Sequence, residues 1–389
     1  MLAKGWARQA LSVCRVCRLR RQLATAATPS TCSNGSSVSE GALPPIRWTY
    51  IPHQVPYKLG LTLQEHLVQR RADARAFLRE QPSASPSGSL SSKAQEASRI
   101  ASTDTLLLLQ HSPVYTEGRR GGEYAQTPEE EEEVRKRFAE INADYEVTKR
   151  GGLITFHGPG QLVGYPILDL SAMDMSTRCY VDRIQQAITG LLRSPPYNLP
   201  TVPPPEDHTG VWCDESHKIT SIGIQVRHRI TSHGFALNVE ADVLKWFGWI
   251  VACGIKGKGM TCMQREVALR VEREEVSRPD RGGGETEEAR RKDLFKEAQE
   301  EGSVSPSSVG AALAGIGPGV GLVDKPVALG PEAQAVTVDS IVPPLVRHWG
   351  QIFKREMRKA DEQEFKYEAA GAGSGGKLNR IIVDGQTIS

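Results

Sequence analysis

Residues 145–169 read YEVTKRGGLITFHGPGQLVGYPILD, and the fold class turns on how this stretch divides. Tyr145–Thr148, Leu153–Phe156 and Leu162–Asp169 are short apolar runs separated by glycine clusters, the pattern of strands joined by tight turns. Glycine permits sharp turns and close approach of a ligand to the main chain, and Pro159 stiffens the second turn. The glycine spacing matches neither G-x-G-x-x-G nor G-x-x-x-x-G-K-S/T, so neither phosphate-binding fingerprint is present. Taken alone, the loop is a strand connection, with backbone N–H groups that a carbonyl oxygen can use.

Working outward, Thr105–Gln110, Val211–Cys213, Ile219–Val226 and Ser232–Val239 read as further strands, with His228-Arg229 in the turn between the last two. Val181, Ile184, Ile188 and Leu191 mark an amphipathic helix, and Val243–Phe247 a short one. Thr127-Pro128 before the acidic run 129–133 suits a helix start, continued by Val134, Phe138 and Ile141. Thr62-x-x-Glu65 has the capping-box pattern ahead of Leu63, Leu67, Ala74, Phe77 and Leu78. Leu345, Val346, Trp349, Ile352 and Phe353 give a helix over Ile341–Met357, following Pro343-Pro344. The fold class is α/β (α+β), a single domain whose mixed, largely antiparallel sheet is flanked by helices. The main domain spans 46–270, with a Ser/Ala/Pro-rich flexible insertion at 81–99. Residues 271–334 lack periodicity and are expected to be disordered, 335–367 to form a helix packing back on the domain, and 368–389 to be a flexible tail.

The 389 residues are 39% hydrophobic and 24% charged with a formal net charge of +2, which makes no case for a nucleic-acid partner. The longest apolar stretches, such as Leu106–Leu109, are too short for a membrane span. Seven scattered cysteines do not form a disulfide framework, and Cys14-x-x-Cys17 has no second pair to complete a zinc site. No acidic residue precedes Glu40, whereas Lys4, Arg8, Arg15, Arg18, Arg20 and Arg21 are interspersed with Ser, Thr and Ala. That is the form of a mitochondrial transit peptide over residues 1–40, and Arg15 and Arg18 break the apolar core that a secretory signal needs.

Three later segments carry reactive groups. Lys218 opens the apolar run Lys218–Ile224 after Thr209-Gly210-Val211-Trp212. Such a lysine is ordinarily an edge charge, but one pointing into a cleft loses its proton more readily and becomes a general base. His233, in Ser232–Asn238, reads by itself as a core histidine. Cys253 lies in Ala252-Cys253-Gly254-Ile255, a loop context that favours an accessible thiol, and a neighbouring Lys218 would favour the thiolate. Cys179, Cys213 and Cys262 compete with it, and residue chemistry alone does not choose among the four.

Together these motifs resemble the octanoyl-acyl-carrier-protein:protein N-octanoyltransferases, also called lipoyl(octanoyl) transferases. The resemblance rests on residues 150–170 with His111–Thr116, Gly210-Val211-Trp212, Lys218–Gly223, His233–Asn238 and Ala252–Ile255, covering Leu106–Met263. It implies a fold similar to the biotin and lipoate protein ligase catalytic domains. It also implies that an octanoyl group leaves the phosphopantetheine thiol of acyl carrier protein, rests as a thioester on Cys253, and passes to a lysine of a lipoyl domain. Lys218 would then lower the thiol's pKa and shuttle protons. Arg150, Gly151, Gly152, Leu153, Ile154, Thr155, Phe156 and His157 match the family's acyl-binding segments, as do Ser221, Ile222 and Gly223 and the stretch His233, Gly234, Phe235 and Ala236. Leu153, Ile154, Phe156, Ile222 and Phe235 supply apolar side chains for the acyl slot. The implied partners are acyl carrier protein, the lipoyl domains of 2-oxoacid dehydrogenase complexes and the glycine cleavage H protein, in the mitochondrial matrix. Neither ATP nor a metal is required. One departure is Ala252, where the family usually has proline.

Two other readings use the same residues. An ATP-dependent lipoate or biotin ligase of this fold needs no cysteine nucleophile, and the chain lacks the glycine-rich adenylate loop of biotin ligases. A non-catalytic binder of acylated carriers needs neither Lys218 nor Cys253.

Overall fold

The computed structural model describes residues 43–81, 91–121, 125–206, 208–254, 257–277, 317, 322–324, 326–361, 363–369 and 378–389. The leader and Cys14, Cys17 and Cys32 lie outside them, as does most of 271–334.

The chain runs β1 (Ile46–Val55), α1 (Tyr57–Glu80), α2 (Ser92–Ser102), β2 (Asp104–His111), β3 (Val114–Glu117), α3 (Pro128–Ala139), β4 (Asp144–Val147), β5 (Thr155–His157), β6 (Gln161–Ile167) and α4 (Thr177–Arg193). It continues β7 (Val211–Trp212), β8 (His217–Arg227), β9 (Ile230–Asn238), α5 (Leu244–Phe247), β10 (Gly259–Met260), α6 (Met263–Val276), α7 (Pro331–Gln334), α8 (Val338–Phe353), β11 (Met357–Lys359), β12 (Phe365–Ala369), β13 (Leu378–Val383) and β14 (Gln386–Ile388). The main sheet has the order β10-β8-β9-β6-β2-β1-β11, with β7 on β8. Its centre, β2-β6-β9-β8, is antiparallel, and β1, β10 and β11 add parallel partners. Among the described residues no helix is long and apolar enough to cross a membrane.

Side-chain alternation distributes three cores. On β2, Leu106 and Leu108 face α4 and α8, where Tyr180, Ile184, Leu345 and Trp349 are buried. Leu107 and Leu109 point to the other face, against Leu59 and Leu63 of α1 and Leu378 and Ile381 of β13. The small sheet β4-β3-β5 closes a third core with α3 and α5, in which Tyr115 stacks on Phe138 and meets Phe156 at a tilt. The helix expected after Thr127-Pro128 forms there, and Thr127 and Glu130 close a capping box at its start.

Several expectations are corrected. The first helix starts at Tyr57 after Pro56, so Thr62 caps nothing, and its hydroxyl donates to the Lys58 carbonyl at 2.9 Å. Within 81–99, Ser92 opens a helix capped by the Ser91 hydroxyl, which buries Ala94 and Ala97; small residues that look like linker composition are the interface with α1. The boundary at 270 cuts through α6. Pro343 and Pro344 lie inside α8 rather than before it, because Thr337 is the cap. The described part of the tail is ordered: β12, β13 and β14 pair antiparallel, turned at Asp384-Gly385, where both φ values are positive.

Asp104 ties these layers together. Its oxygens are 2.6 Å from Arg71 Nη1 of α1 and 3.0 Å from Arg355 Nη1 after α8, and one accepts the Asp169 N–H at 3.0 Å. All three ion-pair side chains are buried. Asp104→Ala leaves the buried Arg355 guanidinium without its carboxylate and Arg71 with only Asp169, 3.9 Å away, so a loss of about 3–5 kcal/mol is expected in denaturant unfolding.

Candidate active site

The glycine-rich stretch folds around its own arginine. Arg150 is buried, and its Nη1 donates to the carbonyls of Gly151 and Leu153, both at 3.1 Å, while Nη2 reaches the Thr116 carbonyl and hydroxyl. The Gly151 N–H donates to Ile224 O at 3.0 Å and hitches the loop to β8. That approach needs Gly223, where an added Cβ would stand 2.7 Å from the Gly151 carbonyl oxygen. The loop leads into β5, whose Thr155 and His157 face a cavity while Phe156 faces the third core.

Behind the cavity runs a buried amide relay. His157 Nδ1 lies 2.8 Å from Gln161 Oε1; Gln161 Nε2 donates to Asn238 Oδ1 at 2.9 Å, and Asn238 Nδ2 to Thr261 O at 2.9 Å. The Thr261 N–H in turn donates to Lys218 O at 2.9 Å. The relay locks β5, β6, β9 and the end of β10 around the start of β8. Lys218 is buried there, its Nζ donating to Thr209 O at 3.0 Å and lying 5.2 Å above the Trp212 ring. Gly210 makes room for the stem: an added Cβ would be 3.1 Å from Lys218 Cε.

Cys253 stands on the loop between α5 and β10. Its backbone is left-handed (φ 57°, ψ 18°), a conformation that side chains other than glycine, asparagine and aspartate adopt at a cost. The Cys253 N–H donates to Ile154 O at 2.8 Å, which fixes the residue against the glycine-rich loop. Sγ is 3.6 Å from Ser221 Oγ. Burial alone would push the thiol's pKa up, but the Lys218 ammonium, the Ser221 hydroxyl, Arg150 and the Thr155 hydroxyl together bring it below its ordinary value. The competing thiols differ. Cys213 is buried and pushed well up, first by burial and then by the Glu266 carboxylate. Cys262 is pushed up to about 12 by burial, and its sulfur accepts the Arg265 N–H as the cap of α6. Cys179, in the first turn of α4, is disulfide-bonded and so is no free thiol, and among the described cysteines Cys253 lines the cavity.

The cavity holds about 680 Å³ of free space counting its open mouth, and its wall takes Phe235 and Ile222 from the first core and Val163, Tyr165 and Ala236 from the second. Of the expected site residues, Arg150, Gly152, Leu153, Thr155, His157, Lys218, Ser221, Ile222, Gly223, His233, Gly234, Phe235, Ala236 and Cys253 line it. Gly151, Ile154 and Phe156 do not: Gly151 holds β8 through its N–H, and Ile154 and Phe156 are turned into the third core. The apolar wall is therefore Leu153, Val163, Ile222, Phe235 and Ala236. Sequence reasoning missed Tyr57, Arg120, Val163, Tyr165, His208 and Thr209, which also line the cavity. Of these, Val163 and Tyr165 lay within the opening stretch, one strand alternation apart. His233 is buried, with its pKa brought down to about 4, and its Nδ1 has no hydrogen-bond partner among the described residues. Burial also holds His157 well below the usual range, so both rings are neutral at pH 7.

A cysteine thiol lowered by a buried lysine, on a loop over an apolar slot, defines the equipment of an acyl-transfer enzyme. The family model of the lipoyl protein ligase A/B catalytic domain matches residues 90–279. The mitochondrial octanoyl-acyl-carrier-protein:protein N-octanoyltransferase LIPT2 of Xenopus tropicalis is 47% identical over 174 residues, 45% of this chain and 68% of that protein. The Homo sapiens protein of the same name is 39% identical over 226 residues, 58% of this chain and 86% of that one. An octanoyltransferase of Caldicellulosiruptor saccharolyticus is 40% identical over 173 residues, 44% of this chain and 70% of that one. The chain belongs to the octanoyl-acyl-carrier-protein:protein N-octanoyltransferase family and is an acyltransferase. The structure of lipoate-protein ligase A bound with ATP overlaps it loosely, at TM-score 0.39 and 13% identity over 82% of this chain and 88% of that one, too weakly to carry residue roles across.

Proposed function

We propose that the enzyme carries the octanoyl group from acyl carrier protein to a lipoyl-domain lysine in two displacements through a thioester on Cys253. The observation that carries this reading is the lowered thiol of Cys253 in one cavity with Lys218. In the first displacement the Sγ proton leaves to solvent, the thiolate held by the Lys218 ammonium attacks the thioester carbonyl, and the tetrahedral adduct expels the pantetheine sulfur as a thiolate that takes a proton from solvent. In the second, the acceptor amine attacks the Cys253 thioester, the C–S bond breaks, and the amine's proton returns by way of Lys218 to Sγ. Thioester exchange is nearly isoenergetic and thioester to amide is downhill, so no ATP is consumed. The Cys253 N–H is committed to Ile154, which leaves the Ser221 and Thr155 hydroxyls and the Lys218 ammonium as the donors beside the reacting carbon. Leu153, Val163, Ile222, Phe235 and Ala236 take the acyl chain, and at ~0.8 kcal/mol per buried CH₂ an eight-carbon chain contributes several kcal/mol of binding.

In this reading the donor is octanoyl-acyl carrier protein and the acceptors are lipoyl domains of 2-oxoacid dehydrogenase complexes and the glycine cleavage H protein. Neither metal nor ATP takes part. The leader 1–40 delivers the chain to the mitochondrial matrix, and the catalytic domain starts at 46 and runs to the end of α6. The test is intact mass after incubation with octanoyl-carrier protein without ATP. One octanoyl adduct on Cys253, discharged on adding a lipoyl domain, is the expected result. Acylation only with ATP and free octanoate would replace this reading with a ligase.

A further inference from the structure

A segment outside the matched catalytic domain reaches back to the loop that carries Cys253. The Gly317 N–H donates to Trp249 O at 3.1 Å. An added Cβ on Gly248 would stand 3.2 Å from Val323 Cγ2, and one on Gly259 would be 3.5 Å from the Leu322 carbonyl oxygen. Residues 317 and 322–323 thus touch both ends of the loop from Gly248 to Gly259. The next residue, Asp324, places one carboxylate oxygen 2.8 Å from His217 Nε2 and 2.8 Å from Arg265 Nη2. The other nitrogen of His217 lies 2.8 Å from Asp214 Oδ2. His217 immediately precedes Lys218 and pairs in register with Gly259, as Lys218 pairs with Met260.

We propose that Asp324 is a positioning residue for the transfer reaction: by bridging His217 and Arg265 it fixes the start of β8 against the loop's exit and keeps the Lys218 ammonium beside the Cys253 thiol. The inference rests on the roles proposed above for Lys218 and Cys253. Strand β10 has only two residues, and at the ends of its pairing with β8 Gly259 N–H donates to Ser216 O and Thr261 N–H to Lys218 O, both at 2.9 Å. So short a pairing holds register weakly by itself. The ion pairs supply the missing restraint, and they are partly desolvated, with the His217 and Arg265 side chains 19% and 14% exposed. Charges balance locally. From the β7–β8 turn Asp214 faces His217 and Glu215 offers its carbonyl to Lys258; from α6 come Arg265 and Glu266. Burial alone would lower the His217 pKa, but the two aspartates raise it to about 9, so the ring is cationic at neutral pH. The ion pairs are complete below its ordinary pKa of 6.5 and are lost as pH climbs through about 9.

The experiment compares full-length wild type, Asp324→Asn and Asp324→Glu. Three readouts are taken: the rate of octanoyl adduct formation on Cys253 by intact mass, the pH profile of Cys253 alkylation by iodoacetamide, and the melting midpoint. Asp324→Asn is expected to slow adduct formation about tenfold and move the alkylation profile to higher pH, because small displacements of a catalytic pair cost large factors in rate. Asp324→Glu, which keeps the charge, is expected to restore most of the rate. An unchanged rate overturns the proposal. So does an unchanged alkylation profile, or a rate loss that follows a collapse of the melting midpoint. If wild type forms no adduct, the thioester reading falls instead, and the alkylation profile still tests whether Asp324 places Lys218 beside the thiol.

Discussion

Cys253→Ser is expected to lose octanoyl transfer by roughly a thousandfold or more while melting within about 2 °C of the parent. The two side chains are nearly the same shape, and neither changes the backbone hydrogen bond to Ile154 O. They differ as nucleophiles. The surroundings bring the Cys253 thiol below its ordinary pKa, whereas an alcohol starts far too high for the same effects to ionise it. Cys253→Gly sharpens the test. At φ 57° glycine relieves a strain that cysteine carries, so this variant should melt at or above the parent although glycine normally costs about 0.5–1 kcal/mol. A large drop in its melting midpoint would mean that the left-handed conformation stores no strain. Transfer above a tenth of the parent rate in Cys253→Ser would remove the thioester from the mechanism.

The strands of the opening stretch were legible because each is short, apolar and bounded by glycines, and the start of α3 because Thr127, Pro128 and Glu130 meet three capping requirements at once. The C-terminal sheet was not, although Asp384-Gly385 is a hairpin signal. Its buried residues Leu378, Ile381 and Val383 break strict alternation, and the glycine-rich run before them reads as tail. Helix α2 was hidden for a related reason: its contact with α1 uses alanines, which composition cannot tell from linker.

The candidate site divides in the same way. The motif residues were visible as segments, but the direction of each side chain depends on how those segments close on one another. Ile154 and Phe156 belong to the right motif and still turn away, while Tyr57 and Thr209, which carry no signature, reach the cavity. The choice among cysteines needed tertiary burial and charge. Cys213 and Cys262 are pushed up by burial and, to a lesser degree, by the Glu266 carboxylate, whereas Cys253 meets Lys218 and Arg150. Arg150 is the largest surprise of role: a buried guanidinium in a binding motif spends its donors on the protein's own carbonyls and shapes the loop.

Lys218→Ala is expected to lower transfer at pH 7.5 about a hundredfold or more, the usual weight of a positioned proton-transfer group, and to move Cys253 alkylation to higher pH. Without the ammonium, burial is opposed only by Ser221, Arg150 and Thr155, so the thiol's pKa rises and less thiolate exists at a given pH. Lys218→Arg separates the two duties of the lysine. A guanidinium keeps the positive charge but does not give up its proton in a protein. The alkylation profile should then stay near the parent's, and if the fork is accommodated in place of the Thr209 hydrogen bond, the octanoyl adduct should still form. Discharge to a lipoyl domain should fail, because the acceptor amine's proton has no base to receive it, and acylated enzyme should accumulate in the intact-mass experiment. Equal loss of both half-reactions in Lys218→Arg, with an unshifted alkylation profile, would instead put proton transfer in the first displacement as well. A normal discharge rate would reduce Lys218 to a source of charge.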